Sequence, residues 1–321
     1  MALNRILPPE DCARHVSNLL LGPEPAFLGR LGGVDTNAAV FTQGTSSGSD
    51  AFLNAKKELE IYTGYYDTCS DTSRVPEFLS LLTKSYRASD TLSVGHAYLI
   101  APFFPEIIDF PPPPETAVER CEHWVREVIG ADRNMTLIPY NFIERLVAGG
   151  PSLLSVFSEA LVGKKVLAIT PFSETIQDQH PNRHQFFKNY EYPEFDLLTY
   201  TTPITYHGLP AEFFPDQDWF STLERMKREI TAIDFDIALL ACASYATPLG
   251  AFIQDDLGKK AVYVGGVLQL FFGIMGRRFN TTFYNSQINP GIFVRPREAQ
   301  KFIEKVNEWS DSPTEAFGAY F

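Results

Sequence analysis

The sequence has few of the features that mark secreted, zinc-binding and membrane proteins. Its 321 residues include only four cysteines, which lie far apart and form no C-x-x-C pair. This spacing argues against a disulfide framework or a structural zinc site, and it is typical of free thiols in a reducing compartment. The N-terminal segment lacks the apolar core of a signal peptide, and the apolar stretch 261–276 is too short to span a bilayer. We therefore expect a cytoplasmic protein with no membrane span.

Basic residues are scarce as well. The formal net charge is −12, with 27 Lys and Arg against 39 Asp and Glu. Because nucleic-acid phosphates require a basic stripe on the protein, we expect no nucleic-acid partner. An acidic surface still allows a local basic pocket for a phosphorylated small molecule. The sequence also lacks the G-x-G-x-x-G fingerprint of dinucleotide-binding folds, which argues against a dehydrogenase.

What the sequence does contain predicts a globular α/β fold. It is 45% hydrophobic and has 26 Phe and 14 Tyr, enough to build a large core. Short apolar runs at 166–170, 237–242 and 261–264 alternate with segments of helical periodicity. This alternation favours a Rossmann-like, mainly parallel sheet with helices on both faces. We expect a single α/β domain over 1–321, with the proline run 111–114 as a connector between its two halves.

Each of these apolar runs stops at a turn of small or polar residues. The stretch 243–247 follows the second run, and Gly265 and Gly266 follow the third. In open α/β sheets, ligands bind where strands end and helices begin, because free backbone N–H groups point there. We therefore expect these turns to line one crevice together with 32–35, which follow an earlier strand. The alternative interpretation of Gly265 and Gly266 is that they only ease helix–strand packing.

Four segments of the chain, 27–35, 166–175, 235–250 and 258–273, carry a resemblance to known proteins. Together they resemble uncharacterised proteins associated with exopolysaccharide and cell-surface glycan synthesis and, more distantly, the GT-D-type glycosyltransferases. Those enzymes have one Rossmann-like domain, use a nucleotide sugar and carry an Arg-x-Gly-Asp-Gly-Glu motif near the N-terminus. In this chain Arg30, Gly32 and Asp35 match the motif, whereas Gly33 stands where the family has its first acid.

The resemblance implies a glycosyltransferase that moves a sugar from a nucleotide-sugar donor, with a UDP-sugar as first choice, to a glycan acceptor hydroxyl by inverting displacement. It also implies Mn²⁺ or Mg²⁺ as a cofactor with Asp35 as its ligand, although Gly33 leaves the Asp-x-Glu pair half missing. Two alternatives stay open. One is a hydrolase or other transferase acting on a nucleotide sugar on the same scaffold. The other is a non-catalytic nucleotide-sugar-binding protein of a glycan pathway, and a homo-oligomer is compatible with each.

Glycosyl transfer needs a cradle for the donor diphosphate, stabilisation of the leaving group and a group that deprotonates the acceptor hydroxyl. Backbone N–H groups in the turns and forked Arg donors suit the first two tasks. The predicted donor-binding residues are Arg30, Gly32, Gly33, Ser244, Tyr245, Thr247, Gly265, Gly266, Arg277 and Arg278. For Arg277 and Arg278 the alternative interpretation is a solvated helix end, where cations are favoured.

Two carboxylates are candidates for the general base. Glu174 follows a buried strand and is the first choice. Asp35 follows a strand and a double-glycine turn, and it could instead bind donor hydroxyls or hold a metal ion. Asp67 and His96 are second-rank candidates. Structural alternatives exist for three of the four: Asp35 as a helix N-cap, Glu174 as an acid in a first helical turn, and His96 as a hydrogen-bonded buried histidine.

Overall fold

A computed structural model describes residues 6–68, 72–94, 118–130, 135–139, 142, 151–207, 209, 211–276, 279 and 286–300 of the chain. The helices in this part are α1 (Pro9–Leu21), α2 (Gly33–Thr42), α3 (Asp50–Tyr62), α4 (Val75–Arg87), α5 (Val118–Ile129), α6 (Pro151–Glu159), α7 (Ser173–Gln179), α8 (Trp219–Thr231), α9 (Ala246–Asp255) and α10 (Leu268–Phe271). The strands are β1 (Ala26–Arg30), β2 (Thr91–Val94), β3 (Thr136–Pro139), β4 (Lys165–Thr170), β5 (Asp196–Thr201), β6 (Ile237–Leu240) and β7 (Lys260–Tyr263). None of these helices is both long enough and apolar enough to cross a membrane.

The strands form one seven-stranded sheet in the order β3-β2-β1-β7-β6-β4-β5. Each strand runs parallel to its neighbours, with Phe27 of β1 opposite Ala261 of β7 and Leu239 of β6 opposite Val262 of β7. The predicted α/β fold with a parallel sheet is therefore confirmed. Strands from both sides of 111–114 join this sheet. The proline run itself lies outside the described residues, so its role as a connector stays a prediction.

Both faces of the sheet are covered, which explains why its central strands are almost wholly apolar. In β6 all four residues are buried. Ala238 and Leu240 pack into the core on one face, and Ile237 and Leu239 pack into the core on the other. Side chains alternate between the two faces of a strand, so a strand that is covered on both faces reads as a continuous apolar run.

Helix α8 shows how a helix is fixed on the sheet. Its N-cap, Asp218, accepts a hydrogen bond of 2.7 Å from the backbone N–H of Ser221, which satisfies one donor that the helix itself cannot pair. Trp219, Leu223 and Met226 are buried on one side of the helix, at the spacing of three and four residues that an amphipathic helix requires. This packing places Trp219 beside the carboxyl edge of the sheet.

The helices that follow the central strands pack on opposite faces of the sheet. Helices α2, after β1, and α9, after β6, contribute to one core. Helices α7, after β4, and α10, after β7, contribute to the other. Because β7 lies between β1 and β6, the chain leaves neighbouring strands in opposite directions, and a crevice opens at their carboxyl ends.

Candidate functional site

A cavity of about 540 Å³ lies in this crevice at the carboxyl edge of the sheet. Its walls are residues at or just after the ends of five neighbouring strands: 30–35 at β1, 170–172 at β4, 202–206 at β5, 241–245 at β6, and Tyr263, Gly265 and Gly266 at β7. Residues 62–64 and Gln269 complete the described lining. The prediction that the turns after β4, β6 and β7 share one crevice with 32–35 is confirmed.

Arg30, the last residue of β1, is the only cationic side chain among the described residues that line the cavity. Its guanidinium lies 5.9 Å from the centre of the Tyr263 ring, and its Nη1 donates a long hydrogen bond of 3.5 Å to the Val264 carbonyl. Gly265 has a positive φ of 68°, and a Cβ at this position would lie less than 3.0 Å from Nη1. The end of β7 and the turn after it therefore hold Arg30 at the cavity wall, and the missing side chain of Gly265 leaves room for it.

Asp35 lies in the first turn of α2 and lines the same cavity as Arg30. The N-cap of α2 is Gly32, and no side chain of the described residues caps this helix. Asp35 is thus not the N-cap that the alternative interpretation proposed. The first backbone N–H groups of a helix have no partner within the helix, so the start of α2 offers donors to an anion in the cavity.

The carboxyl group of Asp35 is buried, and only 7% of the residue is exposed. The Tyr86 hydroxyl donates to Oδ2 over 3.4 Å, while Oδ1 has no hydrogen-bond partner within the described part of the chain. Burial raises the pKa of Asp35 to about 6, and the hydrogen bond from Tyr86 opposes this rise. A buried carboxylate oxygen without a partner costs free energy, so a ligand hydroxyl at Oδ1 would remove an existing penalty.

The turn after β6 has an unusual backbone. Ala243 has a positive φ of 51°, which is uncommon for a residue that carries a side chain. The Tyr263 hydroxyl donates to the Ala243 carbonyl over 3.3 Å, and the Ser244 N–H donates to the Thr63 carbonyl over 3.1 Å. Trp219 Nε1–H donates to Ser244 Oγ over 2.9 Å. Residues with a strained backbone cluster at functional sites. The position of Ala243 in the cavity wall is consistent with this tendency.

The structure brings most of the predicted donor-binding residues together in the cavity wall, namely Arg30, Gly32, Gly33, Ser244, Tyr245, Gly265 and Gly266. The backbone N–H groups of Ser244 and Tyr245 are already used inside the fold, by the carbonyls of Thr63 and Cys242. Thr247 is buried and lies outside the lining, near Tyr86. Binding of a diphosphate in the cavity stays a prediction, for which Arg30, the start of α2 and the turn at Gly265 are the remaining candidates.

Two of the predicted carboxylates lie away from the cavity. Glu174, in the first turn of α7, is not a lining residue; its side chain is 62% exposed and pairs with Arg297 over 3.0 Å. The side chain of Asp67 is fully buried, accepts a hydrogen bond of 2.6 Å from the Tyr65 hydroxyl and pairs with Lys56 over 3.0 Å. These contacts account for both carboxylates structurally. Three further predicted residues lie outside the described part of the chain: His96, Arg277 and Arg278.

Two parts of the wall, 62–64 and 202–206, were not among the predicted site residues. Thr202 Oγ1 is buried there and has no hydrogen-bond partner among the described residues. Thr205 Oγ1 donates to the Gly64 carbonyl over 2.6 Å and thereby joins the two segments. Because 202–206 follow β5, the rule that parallel strands end at one edge could have identified them. The stretch 62–64 follows a helix rather than a strand, and no such signal marks it.

Ligands for a metal ion are sparse at this site. Asp35 is the only carboxylate among the described lining residues, and the part of the chain that the structure describes has no group of three or more His, Cys, Asp or Glu side chains able to hold a metal ion. Mg²⁺ at nucleotide sites is usually held by one or two carboxylates together with phosphate oxygens. Without phosphate oxygens from a ligand, one buried carboxyl with a raised pKa is a weak ligand set, so these residues alone do not fit a resident metal ion.

No model of a known protein family matches the chain, and no curated protein is similar to it in sequence. Among solved structures, the chain is similar to proteins of the domain of unknown function 1792. One, described as having a distinct glycosyltransferase fold, is 11% identical, with 93% of this chain and 94% of that chain covered and a TM-score of 0.44. Another, described as a new glycosyltransferase from Streptococcus sanguinis, is 11% identical, with 93% and 97% covered and a TM-score of 0.45. These values describe a distant likeness of the chain path and assign no function to this protein.

Proposed function

We propose that the protein is a glycosyltransferase that transfers a sugar from a nucleotide-sugar donor to a glycan hydroxyl, with inversion at the anomeric carbon. One observation carries this proposal. A single cavity is lined by Arg30, by the start of α2 and by the buried Asp35, whose Oδ1 has no partner among the described residues. Its volume of about 540 Å³ falls within the range of roughly 300–1,000 Å³ that is usual for small-molecule sites.

In this proposal the donor diphosphate lies against Arg30 and the start of α2. Arg presents forked donors that match phosphate oxygens, and the helix start adds N–H groups and the positive end of the helix dipole. Negative charge grows on the nucleoside diphosphate as its bond to the sugar breaks, so the same groups stabilise the leaving group. A UDP-sugar is the first donor to test, because the resemblance to GT-D-type enzymes implies one.

Asp35 acts as the general base. With a pKa of about 6, the Asp35 carboxyl is mostly ionised at pH 7. This pKa is also close to the working pH, as efficient proton transfer requires. The acceptor oxygen forms its bond to the anomeric carbon and gives its proton to Asp35 Oδ1. The bond from the anomeric carbon to the donor phosphate breaks, and its electron pair leaves with the nucleoside diphosphate. Glu174 lies outside the cavity lining and takes no part in this step.

No step of the reaction passes through a metal ion in this account. Arg30 and the start of α2 supply the positive charge, and Gly33 stands where a second acidic ligand would be. We therefore expect Mn²⁺ or Mg²⁺ to change nucleotide affinity only weakly. A nucleotide that binds only when metal is present would contradict this part of the proposal.

Gly33 also favours a second candidate function. An enzyme that has lost one acid of its donor-binding pair could keep the cavity and lose turnover. The protein would then be a non-catalytic nucleotide-sugar-binding protein of a glycan pathway. The cavity, Arg30 and the start of α2 serve binding equally well in both cases, so turnover is what separates the two functions.

The test measures both binding and release of nucleoside diphosphate. UDP, GDP and TDP are compared for their effect on the melting temperature; a ligand at a hundredfold excess over its Kd stabilises by about 2.7 kcal/mol. Nucleotide-sugar donors are then incubated with the protein, with and without an oligosaccharide acceptor. Release that requires the acceptor supports the proposal. Release without acceptor indicates a hydrolase, binding without turnover indicates the binding protein, and no binding of any nucleotide overturns all three.

A further inference from the structure

Tyr86 is buried on α4, outside the cavity lining, yet its hydroxyl contacts two residues that line the cavity, Gly32 and Asp35. The hydroxyl oxygen accepts a hydrogen bond of 3.3 Å from the backbone N–H of Gly32 and donates to Asp35 Oδ2 over 3.4 Å. The side chain of Thr247, from α9, lies near this hydroxyl. The phenol of Tyr86, on α4, thus joins the turn after β1 to the carboxyl of Asp35.

The direction of these hydrogen bonds follows from what each group can do. The N–H of Gly32 can only donate, so it occupies an acceptor position on the Tyr86 oxygen. An ionised Asp35 can only accept, so the phenol proton points to Oδ2. Burial raises the pKa of Tyr86 well above its ordinary value, and the phenol therefore keeps its proton over the whole pH range in which Asp35 titrates.

This arrangement distinguishes the two oxygens of the Asp35 carboxyl. Oδ2 is held by Tyr86 and lies against Gly32, where an added Cβ would be 2.5 Å away. Oδ1 is buried and without a partner among the described residues. Tyr86 is the titratable group that hydrogen-bonds the Asp35 carboxyl. Tyr263 of β7 lies near Tyr86. Arg30 is the charged side chain that lines the same cavity as Asp35.

We propose that Tyr86 is a positioning residue that holds Asp35 Oδ2 and so keeps Oδ1 as the atom that receives the acceptor proton. This inference rests on the proposed glycosyl transfer. The proton moves from the acceptor oxygen to Oδ1, while the phenol proton of Tyr86 stays in place and no bond to Tyr86 forms or breaks. Without the phenol, Asp35 would lose a hydrogen bond that favours its ionised form and would be free to rotate.

The test compares two variants that each remove one buried phenol. Tyr86→Phe keeps the ring, which packs edge-on against Trp124. Tyr192→Phe is the matched control, because Tyr192 is equally buried but its hydroxyl donates to the Phe271 carbonyl in the core on the other face. Both should lose a similar amount of stability, so a general effect of removing a buried hydroxyl appears in both.

The first readout is the pH profile of kcat/KM. In Tyr86→Phe we expect the midpoint of the acid limb to rise by about one pH unit, with a loss of about fivefold at pH 6 that approaches tenfold at lower pH. We expect kcat to fall while the Kd for UDP stays unchanged, because Tyr86 lies outside the cavity lining. The control should keep the parent midpoint. An unchanged midpoint in Tyr86→Phe, or an equal shift in Tyr192→Phe, overturns the proposal.

The second readout needs no turnover. The pKa of the Asp35 carboxyl, followed through its ¹³C chemical shift, should rise in Tyr86→Phe and not in Tyr192→Phe. If neither the parent nor the variants transfer sugar but this pKa rises in Tyr86→Phe, the proposed glycosyl transfer is wrong and the effect of Tyr86 on Asp35 is confirmed. If the parent transfers sugar and the pKa does not rise, the role of Tyr86 is wrong and the proposed glycosyl transfer is unaffected. Should Tyr86→Phe not fold, Thr247→Val must give a smaller rise in the same direction, and no rise there overturns the inference.

Discussion

Gly265 and Arg30 are complementary: the glycine has a positive φ of 68°, and the guanidinium of Arg30 occupies the space where its side chain would be. Arg30 ends β1 and Gly265 follows β7, the neighbouring strand. The glycine turn therefore has a role beyond helix–strand packing, because it fixes the only cation among the described lining residues at the cavity wall.

Replacing Gly265 by Ala should weaken binding of nucleoside diphosphates by about tenfold or more, because the added Cβ displaces Arg30 from the diphosphate position. Gly258→Ala is the matched control. Gly258 has a similar positive φ of 63°, but no atom of the described residues lies within 4 Å of an added Cβ. Both variants should lose about 1 kcal/mol of stability from the backbone strain alone. Calorimetric titration measures the Kd for UDP in both variants. Equal UDP affinities would show that the contact between Gly265 and Arg30 does not matter for binding.

Asp35→Asn should stabilise the fold at pH 8 and not at pH 3.5. The carboxyl has an ordinary pKa of 3.8 and a pKa of about 6 in the folded protein, so the fold binds this proton more tightly than the unfolded chain does. The ionised carboxyl therefore costs the fold up to about 3 kcal/mol above pH 6, and this cost disappears as the pH falls from 6 to 3.8. Asn has no charge and avoids it. Urea unfolding of the parent and the variant at several pH values measures the difference.

The control for this experiment is Asp256→Asn, at the exposed end of α9. An exposed substitution of this kind should change the free energy of unfolding by less than about 0.5 kcal/mol at either pH. If Asp35→Asn destabilises the protein at pH 8, or if its effect does not depend on pH, then the carboxyl is not held in the costly ionised state that the proposed base requires.

Glu174→Gln should leave turnover within a few-fold of the parent, whereas Asp35→Asn should lower it by about 100-fold or more. Glu174 is largely exposed and pairs with Arg297, and it lies outside the cavity lining. An exposed pair of this kind contributes little to stability, so the variant should also fold normally. Turnover measured with saturating donor and acceptor separates the two carboxylates. A large loss in Glu174→Gln together with a mild loss in Asp35→Asn would restore Glu174 as the base.

The position of the cavity could be predicted from the sequence because its signals are local. The runs 166–170, 237–242 and 261–264 are apolar throughout and end in turns, and parallel strands bring such turns to one edge. The motif residues Arg30 and Asp35 follow the same rule at the end of β1. Strand order, which makes β1 and β7 neighbours, depends on long-range pairing and has no comparable signal in the chain.

Glu174 and Tyr86 mark the limits of that prediction. Glu174 is in the first turn of α7, and whether such a side chain faces the crevice or the solvent depends on the direction in which the helix leaves β4. Tyr86 belongs to the apolar face of α4, with Phe78 and Leu82, and its spacing predicts an ordinary core residue. Only the packing of α4 against α2 brings its hydroxyl to Asp35.

A crystal structure of the protein with bound UDP would show whether the cavity is the donor site. We predict that the diphosphate lies in the cavity, with its oxygens about 3 Å from the Arg30 guanidinium and from backbone N–H groups at the start of α2. We also predict that the donor-sugar side of the diphosphate faces Asp35. A nucleotide bound outside the cavity, or a cavity that stays empty at a UDP concentration that saturates the protein in solution, would contradict the proposed donor site.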